Sequence, residues 1–283
     1  MTYNGDMTIS SRNNVIRAGI VIAAGLSVLT VLAASRALSW MPEAVSRAAA
    51  RTPGLFPALA ARFFPPAPWA PAVSMAASLL FAMGGLILIL YYFEKTAASE
   101  LIFVVFFVFS LALESARIMI PLMRAWNLPG VFGVMAARAL LFARSAGLFS
   151  LFAAGICAAG LDARRQANII LVIVLAGLVI ALNMPLDSLS WDTSLCLQSG
   201  YNSMILIIEI SAGVTGALSF VVSAHSRGSR EFVTAGAGAF LAFVGRSILL
   251  RSDTWVTPLP GLLLLAAGAW LLCGQLHRVY LWL

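Results

Sequence analysis

LIFVVFFVFSLALESARIMIPL, residues 101–122, carries two charges, Glu114 and Arg117, in an otherwise apolar run. A helix rises about 1.5 Å per residue, so roughly 20 residues cross a hydrocarbon core of about 30 Å. Lipid offers no partner to an open strand edge, so such a run is read as a helix. An acid and a base three residues apart share one face of that helix. The run predicts a membrane span with a buried ionic pair.

The rest of the chain agrees. It has 283 residues, 61% of them hydrophobic and 10% charged, with a mean hydropathy of +0.96. An average soluble domain carries about 25% charged residues. The fold class read from this is all-α, a polytopic transmembrane helix bundle. Eight spans are expected: Ala18–Ser35, Ala72–Tyr92, Leu101–Leu122, Val131–Leu161, Asn168–Leu186, Asn202–Ala224, Phe232–Leu250 and Gly261–Leu276. Arg12 and Arg17 before an apolar run ending VLAASRA also fit a cleaved signal peptide. The 18 apolar residues exceed the ~7–15 of a signal core, which favours a retained helix.

The net charge of +7 comes from 17 Arg, one Lys and 11 acids. These charges are scattered and form no basic stripe, so lipid headgroups are the expected partner and nucleic acid is not. Arg12, Arg17, Lys95, Arg164, Arg165, Arg227, Arg230 and Arg278 fall on one side of the spans. Outside the long connection 36–71, only Arg124 and Arg251 fall on the other. The positive-inside rule then puts both termini in the cytoplasm of a bacterial-type inner membrane.

The connection 36–71 reads as amphipathic helix broken by Pro, with Arg47 and Arg51 on one face and Leu55, Phe56, Leu59, Phe63 and Phe64 as apolar area. It either lies in the interface or covers an outer cavity. The loop Asp187–Gly200 reads as a solvated turn with an interfacial Trp, or as a guard over an entrance.

The chain is treated as one domain with a weak internal repeat. Leu128-Pro129-Gly130 and Leu259-Pro260-Gly261 each precede an apolar run, and at nearly the same shift Glu100 falls on Glu231 and Arg117 on Arg246. Halves 1–161 and 168–283 would then be parallel four-helix units.

Charges inside spans are rare and face other helices. In the predicted orientation Glu114 lies ~20 Å above the cytoplasmic face, Arg117 ~24 Å, Arg246 ~21 Å and Glu209 ~20 Å. Arg138 falls near this level, and Arg144 lies deeper. The candidate ligand site is therefore Glu114, Arg117, Arg138, Glu209 and Arg246. Its bland alternative is a set of ion pairs that fixes helix register. Four Arg against two Glu across the spans favour an anionic or zwitterionic guest, because Arg suits carboxylate and phosphate.

There is no HExxH, GxSxG or Walker loop, and the two histidines, His225 and His277, sit at span ends. Cys157, Cys196 and Cys273 form no CxxC pair. No catalytic residue, metal or cofactor is predicted, and the chain is read as non-enzymatic. Three roles remain: a transporter-like binder of a small anionic or zwitterionic ligand or lipid, a membrane sensor module, or an accessory subunit whose charges pair with a partner membrane protein.

Overall fold

A backbone in lipid must satisfy its own hydrogen bonds, and a run of some 20 apolar residues does so as a helix. Eight helices in the computed structural model are long and apolar enough to cross a membrane, so the chain is a multi-spanning all-α membrane protein. The structure describes residues 9–51, 65–94, 96, 98, 100–160 and 165–281.

The first span is α1 (Ile9–Ala37), which runs through a 3₁₀ turn (Leu38–Trp40) into α2 (Met41–Arg51). The second is α3 (Ala70–Phe93). The third consists of α4 (Leu101–Ser110), a 3₁₀ segment (Ala112–Ile118) and α5 (Met119–Trp126). Then come α6 (Gly130–Ala158) and α7 (Gln166–Asn183). A hairpin of β1 (Leu186–Trp191) and β2 (Leu197–Ser199) follows, before α8 (Asn202–Arg227), α9 (Glu231–Leu250) and α10 (Pro258–Leu281). Eight crossings bring the chain back to the end of the bundle where it started. The hairpin lies at the other end.

Local chemistry sets the turns. Asn127, at φ 50°, closes α5 in the left-handed region, and the Leu128 N–H donates back to Met123 O at 2.9 Å. Pro129 then caps α6, and Pro258 opens α10. The two Leu-Pro-Gly triplets thus stand at helix starts.

The third span is the most enclosed: 78% of its apolar window is buried, against 17% for the first. Elsewhere in the bundle, helices meet closely through small residues. In α9, Gly236 lies against α8, where a Cβ would sit 3.0 Å from Ala217 O, and Gly238 faces α10, where one would sit 2.7 Å from Leu272 N. Gly245 makes the same close approach to Leu264 and Gly261.

Two features depart from the sequence reading, at the first helix and at the hairpin, and the connection 36–71 gains a partner. The first helix begins nine residues before Ala18 and buries Arg12, whose guanidinium donates to Phe93 O at 2.6 Å and to Thr96 O. Arg12 therefore caps the end of α3, whose last carbonyls have no intrahelical donor. In the connection 36–71, Met41, Ala44, Val45 and Ala48 form one buried stripe of α2, and the Trp191 indole of the hairpin donates to Ala44 O at 3.0 Å. Residues 52–64, which include Leu55, Phe56, Leu59, Arg62, Phe63 and Phe64, lie outside the described residues, as do Lys95 and Arg164. The loop Asp187–Gly200 is an ordered hairpin rather than a solvated turn, with register Leu186↔Ser199 and Trp191↔Leu197.

Packing at Gly245 is directly testable. In Gly245→Val the new side chain meets backbone at Leu264 C (2.7 Å) and Gly261 O (2.8 Å). Such overpacking costs about 1–3 kcal/mol, so the melting temperature in detergent should fall. Gly25→Ala, with nothing within 4 Å of its new Cβ in the middle of α1, should hold or raise it.

Candidate functional site

The third span changes pitch where its charges sit. In a 3₁₀ helix residues i and i+3 eclipse, so the segment Ala112–Ile118 stacks Glu114 directly with Arg117. Side chains take carbonyls that an α-helix would use: Ser115 Oγ donates to Ala112 O at 2.8 Å, and Arg117 Nε lies 3.4 Å from Glu114 O. No Pro or Gly lies within residues 112–118, but Pro121 follows three residues later and has no N–H to donate to the Arg117 carbonyl.

Arg117 is fully buried. Its Nε lies 3.3 Å from Glu114 Oε2. Nη2 donates to Ser74 Oγ of α3 at 2.9 Å, and Nη1 reaches Leu250 O at the end of α9 (3.2 Å) and Ser194 O in the hairpin (3.4 Å). One guanidinium thus joins α3, α9, the hairpin and its own segment.

Glu114 is completed by Arg144 of α6. The two make a forked pair, Nε to Oε1 and Nη2 to Oε2, both 2.8 Å. This geometry is among the stronger ionic contacts proteins make. Arg144 Nη2 also lies 3.3 Å from Cys196 Sγ. Burial pushes the Cys196 thiol above its ordinary range, with Arg144 acting in the opposite sense.

The hairpin covers this cluster. Asp192 Oδ1 accepts from Ser194 Oγ and from the Cys196 N–H, both at 2.8 Å, which tightens the turn. Leu195 is held at φ 63°, a strained position for a Leu, and its side chain is fully buried. Burial of that side chain against the hairpin-end core offsets the strain.

Arg246 of α9 reaches the same place with a different outcome. It is 2% exposed. Among the described residues its only hydrogen bond is Nη2 to Arg144 O at 2.9 Å, and Nε has no partner. A guanidinium has five donors. No carboxylate stands within 4 Å of it among the described residues, although Glu209 and Glu114 are close enough to act on it electrostatically. One carboxylate, Glu114, therefore serves a centre with three Arg, leaving two positive charges in excess.

Two predicted members do not join. Arg138 lies on the exposed face of α6 and makes no hydrogen bond or ion pair with the described residues. Glu209 pairs with Arg251 at 2.5 Å, at the edge of the bundle. It also lines, with Arg144, a crevice of about 20 Å³ between α6, α7 and α8. One rule accounts for both corrections. In an antiparallel helix pair, residues equally far from the turn meet. Glu114 and Arg144 stand equally far from Pro129, and Glu209 and Arg251 equally far from Arg230. Arg138 is nearer the turn than Glu114, and Arg246 is opposite Val214 rather than Glu209.

A second polar contact lies at the far end. Glu100 is fully buried, accepts from the Tyr280 hydroxyl (2.8 and 2.6 Å), and faces Arg227 at 3.9 Å. It ties the third span to α8 and α10. Nothing local to Glu100 signals it, because both partners come from distant sequence.

The Glu114–Arg144 pair should behave as a coupled unit. Either Glu114→Gln or Arg144→Gln alone leaves a buried charge short of a partner, at a cost of about 3–5 kcal/mol. The double variant should cost clearly less than the sum of the two singles. Unfolding of all four proteins in one detergent measures this.

No family model and no solved structure matches the chain. An uncharacterized protein of Treponema pallidum is 24% identical to it, over an alignment covering 98% of this chain and 100% of the relative. The two are alike along their whole length, and the relative's description carries no activity.

Proposed function

We propose that this membrane protein binds a small anionic or zwitterionic ligand, or a lipid headgroup, through Arg246 inside the bundle. The observation that carries this reading is a buried guanidinium with one hydrogen bond and no carboxylate within ion-pair distance among the described residues. Unpaired charge within a membrane bundle is expensive and marks function. Arg is the side chain suited to forked contacts with carboxylate or phosphate. Glu209, beside Arg144 in the crevice, supplies a negative charge for the cationic part of a zwitterion.

The other charges support the site. Arg117 and Arg144 are both paired with Glu114, and Arg117 also donates to Ser74 Oγ and to two backbone carbonyls, so they fix the helices around Arg246. The basic loop residues favour a cytoplasmic N-terminus, and the hairpin end then faces away from the cytoplasm of an inner membrane. The broken third span favours a transporter-like role, since discontinuous helices flank many transporter sites. A second reading, an accessory subunit, draws on Arg138, an exposed cation on the lipid-facing side of α6 that a partner's acid would neutralise.

Binding and stability should separate at Arg246. Arg246→Met removes an uncompensated buried charge, so the ligand-free melting temperature should hold or rise, whereas Arg117→Met should lower it. A carboxylate or phosphate compound at 100 times its Kd stabilises by about 2.7 kcal/mol, or on the order of 5 °C for a chain this size. That rise should appear in the native protein and vanish in Arg246→Met. An equal rise in both proteins, or no response to any such anion, would defeat the proposal.

A further inference from the structure

α1, the 3₁₀ turn and α2 follow one another as one helical run, Ile9–Ala50. Positions 22, 25, 29, 32, 36, 40, 43 and 47 recur every three or four residues, so they keep to one side of it. The first four, Ile22, Gly25, Leu29 and Leu32, are apolar and exposed. The next four, Arg36, Trp40, Glu43 and Arg47, are polar or aromatic, and both Arg are exposed. The change falls at the membrane boundary. The rise from Arg17 to Arg36 is about 28 Å, close to a hydrocarbon core of about 30 Å. Arg36 and Trp40 therefore stand at headgroup level on the hairpin side, where Trp is favoured.

The third span ends at the same place and adds a charge. The Arg124 guanidinium lies over the Trp40 ring, 5.9 Å from its centre, and Nη2 is 3.9 Å from Glu43 Oε1. Glu43 also pairs with Arg47. Three Arg thus share one carboxylate on an exposed face. Glu43 is the one acid between residues 36 and 71, against four Arg. At the other end of α1, Arg17 faces Glu94 at 3.7 Å, whereas Arg36 forms no ion pair with the described residues. Topology does not call for this charge, since the remaining loops on the hairpin side carry few Arg.

We propose that Arg36, Trp40, Arg47 and Arg124 form a binding site for an anionic phospholipid of the hairpin-side leaflet. Its phosphate takes the guanidinium donors that Glu43 leaves free, a contact for which Arg is suited. Its acyl chains lie along Ile22, Leu29 and Leu32, directly below the head. Charge complementarity selects the headgroup, and the step from apolar to basic residues on one helix side sets the depth. The site is on the rim of the bundle and does not involve Arg246, so neither proposal depends on the other.

The test titrates the detergent-purified full chain with phosphatidylglycerol and, separately, with phosphatidylcholine of the same acyl chains. Native mass spectrometry reads the affinity of the first lipid retained. Phosphatidylglycerol should bind about tenfold more tightly than phosphatidylcholine, from the attraction of the excess Arg charge. Arg36→Gln and Arg47→Gln should each weaken phosphatidylglycerol about fivefold, and the pair together about 25-fold. Glu43→Gln should tighten it, because it frees donors on Arg47 and Arg124; a merely structural role for this face would give a loss there instead. Arg230→Gln, which removes an exposed charge at the opposite end of the bundle, should leave the affinity unchanged. Equal affinity for the two lipids, full affinity in the Arg36/Arg47 double variant, or an equal loss in Arg230→Gln overturns the proposal.

Discussion

Glu114 is gripped from two sides, by Arg117 on its own 3₁₀ turn and by Arg144 from the next span. A charge in a membrane interior is tolerated only where neighbours compensate it, so this contact dictates which helices must meet and at what height. Arg117 extends the constraint through Ser74, Leu250 and Ser194. The tight winding of residues 112–118 is part of the same arrangement, because it stacks the acid over the base.

The remaining packing follows from that centre. The hairpin closes over the cluster and presses Leu195 into the core despite its left-handed backbone. The α2 stripe and the Trp191–Ala44 contact hold the hairpin in place. On the other flank the glycines of α9 bring α8 and α10 close enough to seat Arg246 between helices rather than in lipid. Arg246 is thus positioned by backbone contact, and its own charge remains uncompensated by any carboxylate within ion-pair distance. That separates it from Arg117 and Arg144, which both pair with Glu114.

Much of this was legible in the residues. The apolar runs mark the eight crossings, and the spacing of Glu114 and Arg117 marks their pairing. The pairing of Glu114 with Arg144 was also within reach, since both stand equally far from Pro129 in adjacent antiparallel helices. Estimating depth from each span's first apolar residue hides this. The third span continues to Trp126 and is partly wound at the longer 3₁₀ rise, so Glu114 sits nearer mid-span than a count from Leu101 implies. The same distortion made Arg138 look like a member of the layer and Arg144 look too deep.

By itself the sequence determined the class of protein, the number of crossings and the presence of charges that must find partners, because hydrophobicity and length act residue by residue. It also determined the excess of Arg over Glu within the spans. Tertiary structure alone decided which Arg are satisfied and which is not, since that depends on carbonyls at Leu250 and Ser194 and on a hydroxyl at Ser74, groups with no sequence signature. It likewise decided that a loop rich in polar residues folds into a cap, and that Arg12 serves the end of a neighbouring helix. Hydrogen-bond satisfaction is a property of places, and only the folded chain brings those places together.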